Sequence, residues 1–128
     1  MPSFGTLKAD TLTHSTAGSL ATNFIVEGSA KAWASSNQAS IIDSFNVAST
    51  TDNQQADTTY TYTNTMSNAG YAAGSGSVGP SSGAQAGPTS YHTPTTGSIR
   101  VVTFDEMKNS NGRFDTAYQA VTVSGDLA

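Results

Sequence analysis

The sequence predicts an all-β protein: a single antiparallel β-sandwich, jelly-roll-like, preceded by an extended N-terminal arm. Three observations lead to this fold class. Serine, threonine, alanine and glycine dominate the 128 residues and only 11% are charged, a mixture that disfavours long helices because hydroxyl side chains compete for backbone hydrogen bonds. Several stretches alternate apolar and polar residues with period two. Turn-forming residues recur about every 8–12 residues, as they do in sandwiches.

Six stretches carry the strand pattern, and all lie in residues 29–128, the predicted sandwich domain. They are AKAWAS, SIIDSFNVAST, TTYTYTNT, YAAGSGSV, GSIRVVTFD and AYQAVTVSG. The side chains of a strand alternate between its two faces, so every second residue is expected in the core. The short gap TDNQQAD predicts that residues 40–50 pair with residues 57–65 as an antiparallel hairpin. The predicted core anchors are Trp33, Ile41, Phe45, Val47, Ile99 and Val101.

Residues 1–28 differ from the rest because their apolar residues are sparse and no helix-capping pattern appears. Their threonines favour strands over helix, so the segment is predicted to be an extended arm with one or two short strands. A frayed leader is the alternative interpretation. If the segment is an arm, its apolar residues have few partners of their own and are predicted to bind another subunit: Phe4, Leu7, Leu12 and Leu20.

A second segment of unusual composition, residues 79–96, is rich in glycine, proline and serine. The sequence predicts an exposed loop here. A loop of this length inside a compact domain is uncommon unless it is functional or mobile. Recognition favours loops on rigid scaffolds, so Tyr91 and His92 are the candidate recognition residues of this loop.

Charge and cysteine content exclude several classes of function. Five Lys and Arg residues against nine Asp and Glu give a net charge of −4, which is too little positive charge for the basic stripe that nucleic acids require. The chain has no cysteine, which excludes disulfides and thiolate chemistry. No stretch approaches the roughly 18 apolar residues of a membrane helix. We therefore expect neither a nucleic acid nor a membrane as partner.

The residues that could carry chemistry form no recognisable site. His14 and His92 lack the further ligands of a metal centre. The glycine-rich segment lacks the Lys-Ser/Thr ending of a phosphate loop. A carboxylate pair for glycoside hydrolysis would have to come from turn and loop residues, where aspartate commonly serves local hydrogen bonding: Asp52, Asp57, Asp105 and Glu106. We predict no catalytic, cofactor-binding or metal-binding residues, and no enzymatic activity.

Aromatic residues allow two interpretations. Trp33 and three tyrosines could together form a sugar-stacking platform, as exposed aromatic residues do in lectin-like domains. A tryptophan on a strand between small residues is more often a core anchor, and we place Trp33 in the core on that ground. The tyrosines of the possible platform are Tyr60, Tyr62 and Tyr71.

Several short motifs of the chain resemble one family. AKAW, then DSFNVAST followed by TDN, is similar to a module of virion structural and tail-fibre-like proteins of tailed phages, especially marine ones. MSNAGY resembles the M-x-[DN]-A-N-Y of that family, TTGSIRVVTFD its strand S-[VI]-R-V-x-T, and GTLKADTL its leader G-T-L-K-V-D-T-I. The turn residues 35–39 and 54–56 depart from the pattern of the family, as does the C-terminal TVSGDLA.

The resemblance implies a non-enzymatic, β-rich component of a phage particle. We expect a virion protein, assembled in the host cytoplasm, that decorates the capsid as a cement protein and stabilises the head lattice. Its expected partners are the major capsid protein or other virion subunits, and copies of itself in a homo-oligomer, a trimer. A tail-fibre or glycan-binding tail component and a neck or tail-tube subunit are the alternatives. The arm is expected to hold the protein on a neighbouring subunit by strand addition.

Overall fold

A computed structural model describes residues 9–16, 18–37, 39–78, 89–104 and 115–128. The arm contains two strands and a helix: β1 (Thr11–His14), β2 (Gly18–Ala21) and α1 (Thr22–Gly28). The described sandwich contains eight strands: β3 (Ala30–Ser36), β4 (Ile41–Phe45), β5 (Val47–Gln54), β6 (Asp57–Tyr62), β7 (Ala72–Val78), β8 (Thr89–His92), β9 (Ser98–Thr103) and β10 (Tyr118–Ser124).

The eight strands form two four-stranded sheets that pack against each other, which confirms the predicted all-β antiparallel sandwich. The first sheet has the order β4-β3-β10-β7 and the second the order β5-β6-β9-β8. All pairings within both sheets are antiparallel.

The core combines small residues of the first sheet with large residues of the second. Ala32 and Ala34 face the core from β3, and the fully buried Tyr60 faces them from β6. The remaining buried members of this apolar cluster are Val47, Tyr62, Met66, Tyr71, Ile99, Val101, Val121 and Val123. Val47, Ile99 and Val101 were predicted core anchors and are confirmed as such, while Ile41 is half-buried and packs against the cluster.

Two other predicted core anchors are wrong. Trp33 is 37% exposed and Phe45 is 53% exposed. Alternation along β3 explains the error, because Ala32, Ala34 and Ser36 occupy the inner face and Trp33 therefore lies on the outer face. Phe45 pairs directly with Trp33 across the strands, so it lies on the same outer face.

The stretch predicted as one strand over residues 40–50 is two strands that belong to different sheets. Asn46 separates them, with a φ of 55°, a left-handed conformation that asparagine tolerates better than most residues. As a result β4 pairs with β3 in the first sheet and β5 pairs with β6 in the second. The predicted hairpin between 40–50 and 57–65 is therefore correct for β5 and wrong for β4.

The arm contains the two short strands that were predicted, but the absence of a helix was wrong. β1 and β2 form an antiparallel hairpin in which Leu12 pairs with Leu20, and α1 begins directly after β2. Thr22 fixes this junction, since its amide donates to the Asp10 carbonyl at 2.9 Å and its Oγ1 donates to the Ala9 carbonyl at 2.7 Å. No side-chain cap marks the helix start, so no signal in the sequence indicates the helix.

The predicted loop over 79–96 is also only partly correct. Residues 89–92 form β8, which pairs with β9, and residues 93–96 lead from that strand into β9. The remainder, 79–88, lies outside the described residues, as do Phe4, Leu7, Asp105 and Glu106.

Candidate functional site

The sandwich interior contains a chain of polar side chains that is satisfied within the protein. The Tyr60 hydroxyl lies 2.7 Å from Ser36 Oγ and donates to Gln119 Oε1 at 2.9 Å. Gln119 Nε2 in turn donates to Thr103 Oγ1 at 3.0 Å. Burial raises the pKa of Tyr60 to about 12, so the hydroxyl stays protonated at neutral pH. This network joins the two sheets and is not exposed to a ligand.

Tyr62 and Tyr71 extend this interior and also do not form a surface. Their rings meet edge to face, with centroids 6.0 Å apart, and both residues are buried. The Tyr71 hydroxyl is 2.8 Å from the Ser98 carbonyl and 3.1 Å from the Thr95 carbonyl. A sugar-stacking platform that combines Trp33 with these tyrosines is therefore ruled out, because Trp33 alone among them is exposed.

The buried carboxylate of Asp57 is engaged by neighbouring side chains. Arg100 contacts it through two nitrogens, Asn53 Nδ2 donates to it at 3.1 Å and Gln54 Nε2 donates at 3.2 Å. The hydrogen bonds from Arg100 hold the pKa of Asp57 well below its usual range. Asp57 is thus an ionised structural partner at the start of β6, while Asp52 lies exposed on β5.

The two histidines lie in different parts of the fold. His14 ends β1 in the arm, and His92 ends β8, where its Nδ1 lies 3.1 Å from Thr93 Oγ1. Within the described ranges, no group of three or more His, Asp or Glu side chains is placed to hold a metal ion. In the same residues, no helix is long and apolar enough to cross a membrane.

Tyr91 and His92, the predicted recognition residues, do not share a surface. They are successive residues of β8, so their side chains point to opposite faces of the second sheet. Tyr91 is 41% exposed, and His92 pairs with Arg100. The structure therefore places them on a short edge strand and does not bring them together.

The arm presents the first apolar surface that no described part of the chain covers. The Leu12–Leu20 pair of the hairpin is exposed, and so are three consecutive residues of α1. Leu12 and Leu20 were predicted to bind a partner, and their exposure leaves them available for that role. We call this surface the arm surface; it consists of Leu12, Leu20, Phe24, Ile25 and Val26.

Lys31 links the arm to the sandwich. Although it carries a charge, it is almost fully buried on the outer side of β3. Its Nζ donates to the Val26 carbonyl at the end of α1 and to Ser29 Oγ at 2.8 Å. A cation at a helix C-terminus satisfies carbonyls that have no partner within the helix. Lys31 therefore fixes the end of α1 against β3, an interior strand of the first sheet.

The outer face of the first sheet presents a second apolar surface that is exposed among the described residues. Trp33 and Phe45 stand side by side at one end of it, and Tyr118 pairs with Val78 at the other. All four side chains are more than a third exposed. Between the two pairs lie small residues of β3, β10 and β7, and we call this surface the trough: Ser35, Gly74, Gly76 and Ala120.

Sequence reasoning missed the trough for a physical reason. Trp33 alternates with alanine and serine, so the pattern of β3 does not tell which side is the core. The available signal was the volume of the side chains that face each other across the core. The tyrosines of β6 are too large to pack opposite a tryptophan, whereas Ala32 and Ala34 leave room for them.

Comparison of the chain with protein-family models, with curated proteins and with solved structures gives no match.

Proposed function

We propose that the chain is a non-enzymatic structural subunit of a tailed-phage particle, and that it decorates the capsid by binding the major capsid protein through its arm. The observation that carries this proposal is the arm surface, which is exposed beside a sandwich that has its own buried apolar core. The phage setting comes from the resemblance of AKAW, SFNVAST, TDN and SIRVVT to virion proteins.

The hairpin of the arm needs a partner to be stable. A two-stranded hairpin alone is marginal in water, and a third strand or a packed face is required for independent stability. β1 and β2 form a sheet of only two strands within the described residues, so each strand has an open edge. A strand of the capsid protein that adds to either edge would supply the missing hydrogen bonds.

The apolar side chains of the arm add to this binding. Leu12 and Leu20 are 43% and 47% exposed, and Phe24 and Val26 exceed 60%. Covering the exposed part of each would contribute about 1 kcal/mol, at roughly 25 cal/mol per Å² of apolar area. Such a contribution is modest for one arm and becomes large when several arms bind at once.

Symmetry supplies that repetition. A homotrimer on a three-fold axis of the capsid would place three arms on adjacent shell subunits. Linking the arms raises their effective concentration and converts three weak contacts into tight binding. Cementing of the lattice follows, because each trimer then bridges neighbouring subunits.

The polar groups of the sandwich support a structural role. The Asp57 carboxylate accepts hydrogen bonds from Arg100, Asn53 and Gln54. The Tyr60 hydroxyl is hydrogen-bonded to Ser36 and Gln119. Each of these groups stabilises the fold and would have to be released before it could act on a substrate.

The test is the loading of purified protein onto particles that lack it. The variant Leu12→Ser with Leu20→Ser, and separately deletion of residues 2–20, are expected to leave a folded sandwich that no longer binds particles. Ile42→Ser is the matched control, because Ile42 is at least as exposed as the two leucines but lies on the sandwich. If the arm variants decorate particles at the occupancy of the unaltered protein, the proposal is wrong.

Location on the particle is tested separately by immunogold labelling of intact virions. Label over the head is the expected result. Label confined to the tail or neck would replace the capsid-decoration proposal with the tail-fibre or tail-tube alternative. The role of the arm in attachment is tested by the loading experiment and does not depend on this result.

A further inference from the structure

The trough on the outer face of the first sheet is built like a binding site for a small ligand. A groove of about 460 Å³ lies at its Tyr118 end, lined by Ser35, Gly76, Ser77, Val78, Tyr118 and Ala120. That volume is within the range of small-molecule sites. Tyr118 and Thr122 are four residues apart on β10, so the trough extends roughly 13 Å between its two ends, at about 3.3 Å per residue.

The floor of the trough is flat because its residues are small. Gly76 pairs with Ala120, which pairs with Ser35 on its other side, so these three residues form one row across β7, β10 and β3. In the next row Gly74 pairs with Thr122, which pairs with Trp33. Gly74 and Gly76 have no heavy atom within 4 Å of the position where a Cβ would stand, so neither glycine is required by packing. Glycine in the middle of a strand weakens it. Because the space above both glycines is open, their lack of a side chain lets a ligand approach the sheet closely.

The walls of the trough are aromatic. Tyr118 is 51% exposed at one end, and Trp33 and Phe45 are exposed at the other. Aromatic rings that stay exposed on a folded protein offer large, rigid contact faces at low entropic cost. The two ends lie roughly 13 Å apart, which suits an elongated ligand that stacks flat apolar faces on both.

Polar groups at the floor and rim complete the site. Ser35 pairs with Asp43 on β4, which places a hydroxyl and a carboxylate side by side on the outer face. Asp43 Oδ1 accepts the Ser44 amide at 2.9 Å, and the hydroxyls of Ser35 and Tyr118 have no hydrogen-bond partner in the part of the chain that is described. These groups can exchange water for the hydroxyls of a ligand.

We propose that the trough binds a neutral oligosaccharide, with at least two pyranose rings lying along it. A pyranose has an apolar face of C–H groups and a rim of hydroxyls, which match the aromatic walls and the polar groups of the trough. Asp43 and the net charge of −4 disfavour acidic sugars. A protein partner fits less well, because protein interfaces concentrate large side chains at their centre, whereas the centre here is glycine, alanine and serine. This site is independent of the arm and of capsid attachment.

Trp33 is the single tryptophan of the chain, so its fluorescence reports directly on the trough. The experiment titrates the full chain with cellobiose, maltose and di-N-acetylchitobiose, and with sialyllactose as an acidic comparison. At least one neutral sugar is expected to give a saturable change, with a Kd of about 1 mM or below. Sialyllactose is expected to give none.

Two variants locate the site. Gly76→Val fills the groove at a position with free space and should fold normally, and Tyr118→Ala removes one wall. Each is expected to weaken binding about tenfold or more. The matched controls, Thr61→Val on the second sheet and Tyr91→Ala on β8, are expected to change binding less than about twofold.

Three results would overturn the proposal. The first is no saturable response to any neutral sugar at about 20 mM, and the second is binding that Gly76→Val leaves intact in a normally folded protein. The third is an oligomer in sedimentation that Gly76→Val dissociates, which would make the trough an interface between copies of the chain.

Discussion

The sandwich and the arm differ in where their groups find partners. In the sandwich, large tyrosines face small alanines, the buried Tyr60 donates to Gln119, and the buried Asp57 accepts from Arg100. In the arm, the Leu12–Leu20 pair and the apolar residues of α1 remain in water. Stability is therefore expected to reside in the sandwich, and affinity for another molecule in the arm.

Asn46 is expected to be the most sensitive position of the sandwich. Its left-handed backbone turns the chain from one sheet into the other. Its side-chain Nδ2 donates to the Lys31 carbonyl at 3.0 Å, and its Oδ1 accepts from the Asn64 backbone amide at 2.7 Å. Asn46→Ala should lower the free energy of unfolding by about 3 kcal/mol, the sum of the unfavourable backbone conformation and lost hydrogen bonds. Asn46→Gly keeps the conformation and should cost about 1 kcal/mol less. Urea denaturation measures both, and equal losses would contradict the role of the backbone.

Tyr60→Phe should have the next largest effect. The variant keeps the ring but leaves Ser36 and Gln119 without the hydroxyl that joins them in the interior, which should cost about 2 kcal/mol. Tyr118→Phe is the matched control, because its hydroxyl is exposed, and it should change the free energy of unfolding by less than about 0.5 kcal/mol. Similar effects of the two variants, measured by urea denaturation, would mean that the interior network adds nothing to stability.

The Asp57–Arg100 pair makes a smaller contribution that depends on pH. Because the folded-state pKa of Asp57 lies well below its usual value, the stabilisation is fully present above about pH 4 and is lost as pH falls towards the folded-state pKa. The variant Arg100→Met should therefore be less stable than the unaltered protein at neutral pH, and the difference should shrink as the pH falls below about 4. Unfolding followed between about pH 2 and 7 measures this.

Asp57→Asn is the control for this pH dependence, because it removes the titrating group. In that background Arg100→Met should produce a difference in stability that no longer varies with acid pH. A constant difference with Asp57 present would show that the carboxylate does not titrate through this ion pair.

Leu12→Ser combined with Leu20→Ser should have the smallest effect on folding. Both side chains are already exposed, so the free energy of unfolding of the sandwich should change by less than about 0.5 kcal/mol. A cost above about 2 kcal/mol in urea denaturation would mean that the arm is part of the sandwich core, and the contrast between the two regions would be lost.

The sequence was sufficient for the fold class and for most strands, because strict alternation survives wherever one face is buried. β9 and β10 were predicted for this reason, and Ile99 and Val101 were placed correctly. Alternation did not show that the chain changes sheets at Asn46, since Phe45 and Val47 keep the period of two on either side of that residue. A single left-handed residue breaks a strand without leaving a break in the hydrophobic pattern.

The two candidate surfaces were harder to predict from the sequence than the strands. The apolar residues of the arm could be identified because they are sparse and have no partners nearby, but α1 was missed since residues 22–28 carry no cap. The trough could not be predicted, because whether Trp33 faces inward depends on which residues of the other sheet oppose it. The sequence of β3 alone does not contain this information, because it depends on how the two sheets pack against each other.

Amide hydrogen exchange of the free and the particle-bound protein tests the contrast between arm and sandwich most directly. In the free protein, the amides of β1, β2 and α1 are predicted to exchange far faster than those of β6, β9 and β10. On particles, the arm amides are predicted to become protected while the sandwich amides change little. Arm amides protected as strongly as the sandwich in the free protein, or still unprotected on particles, would contradict the account.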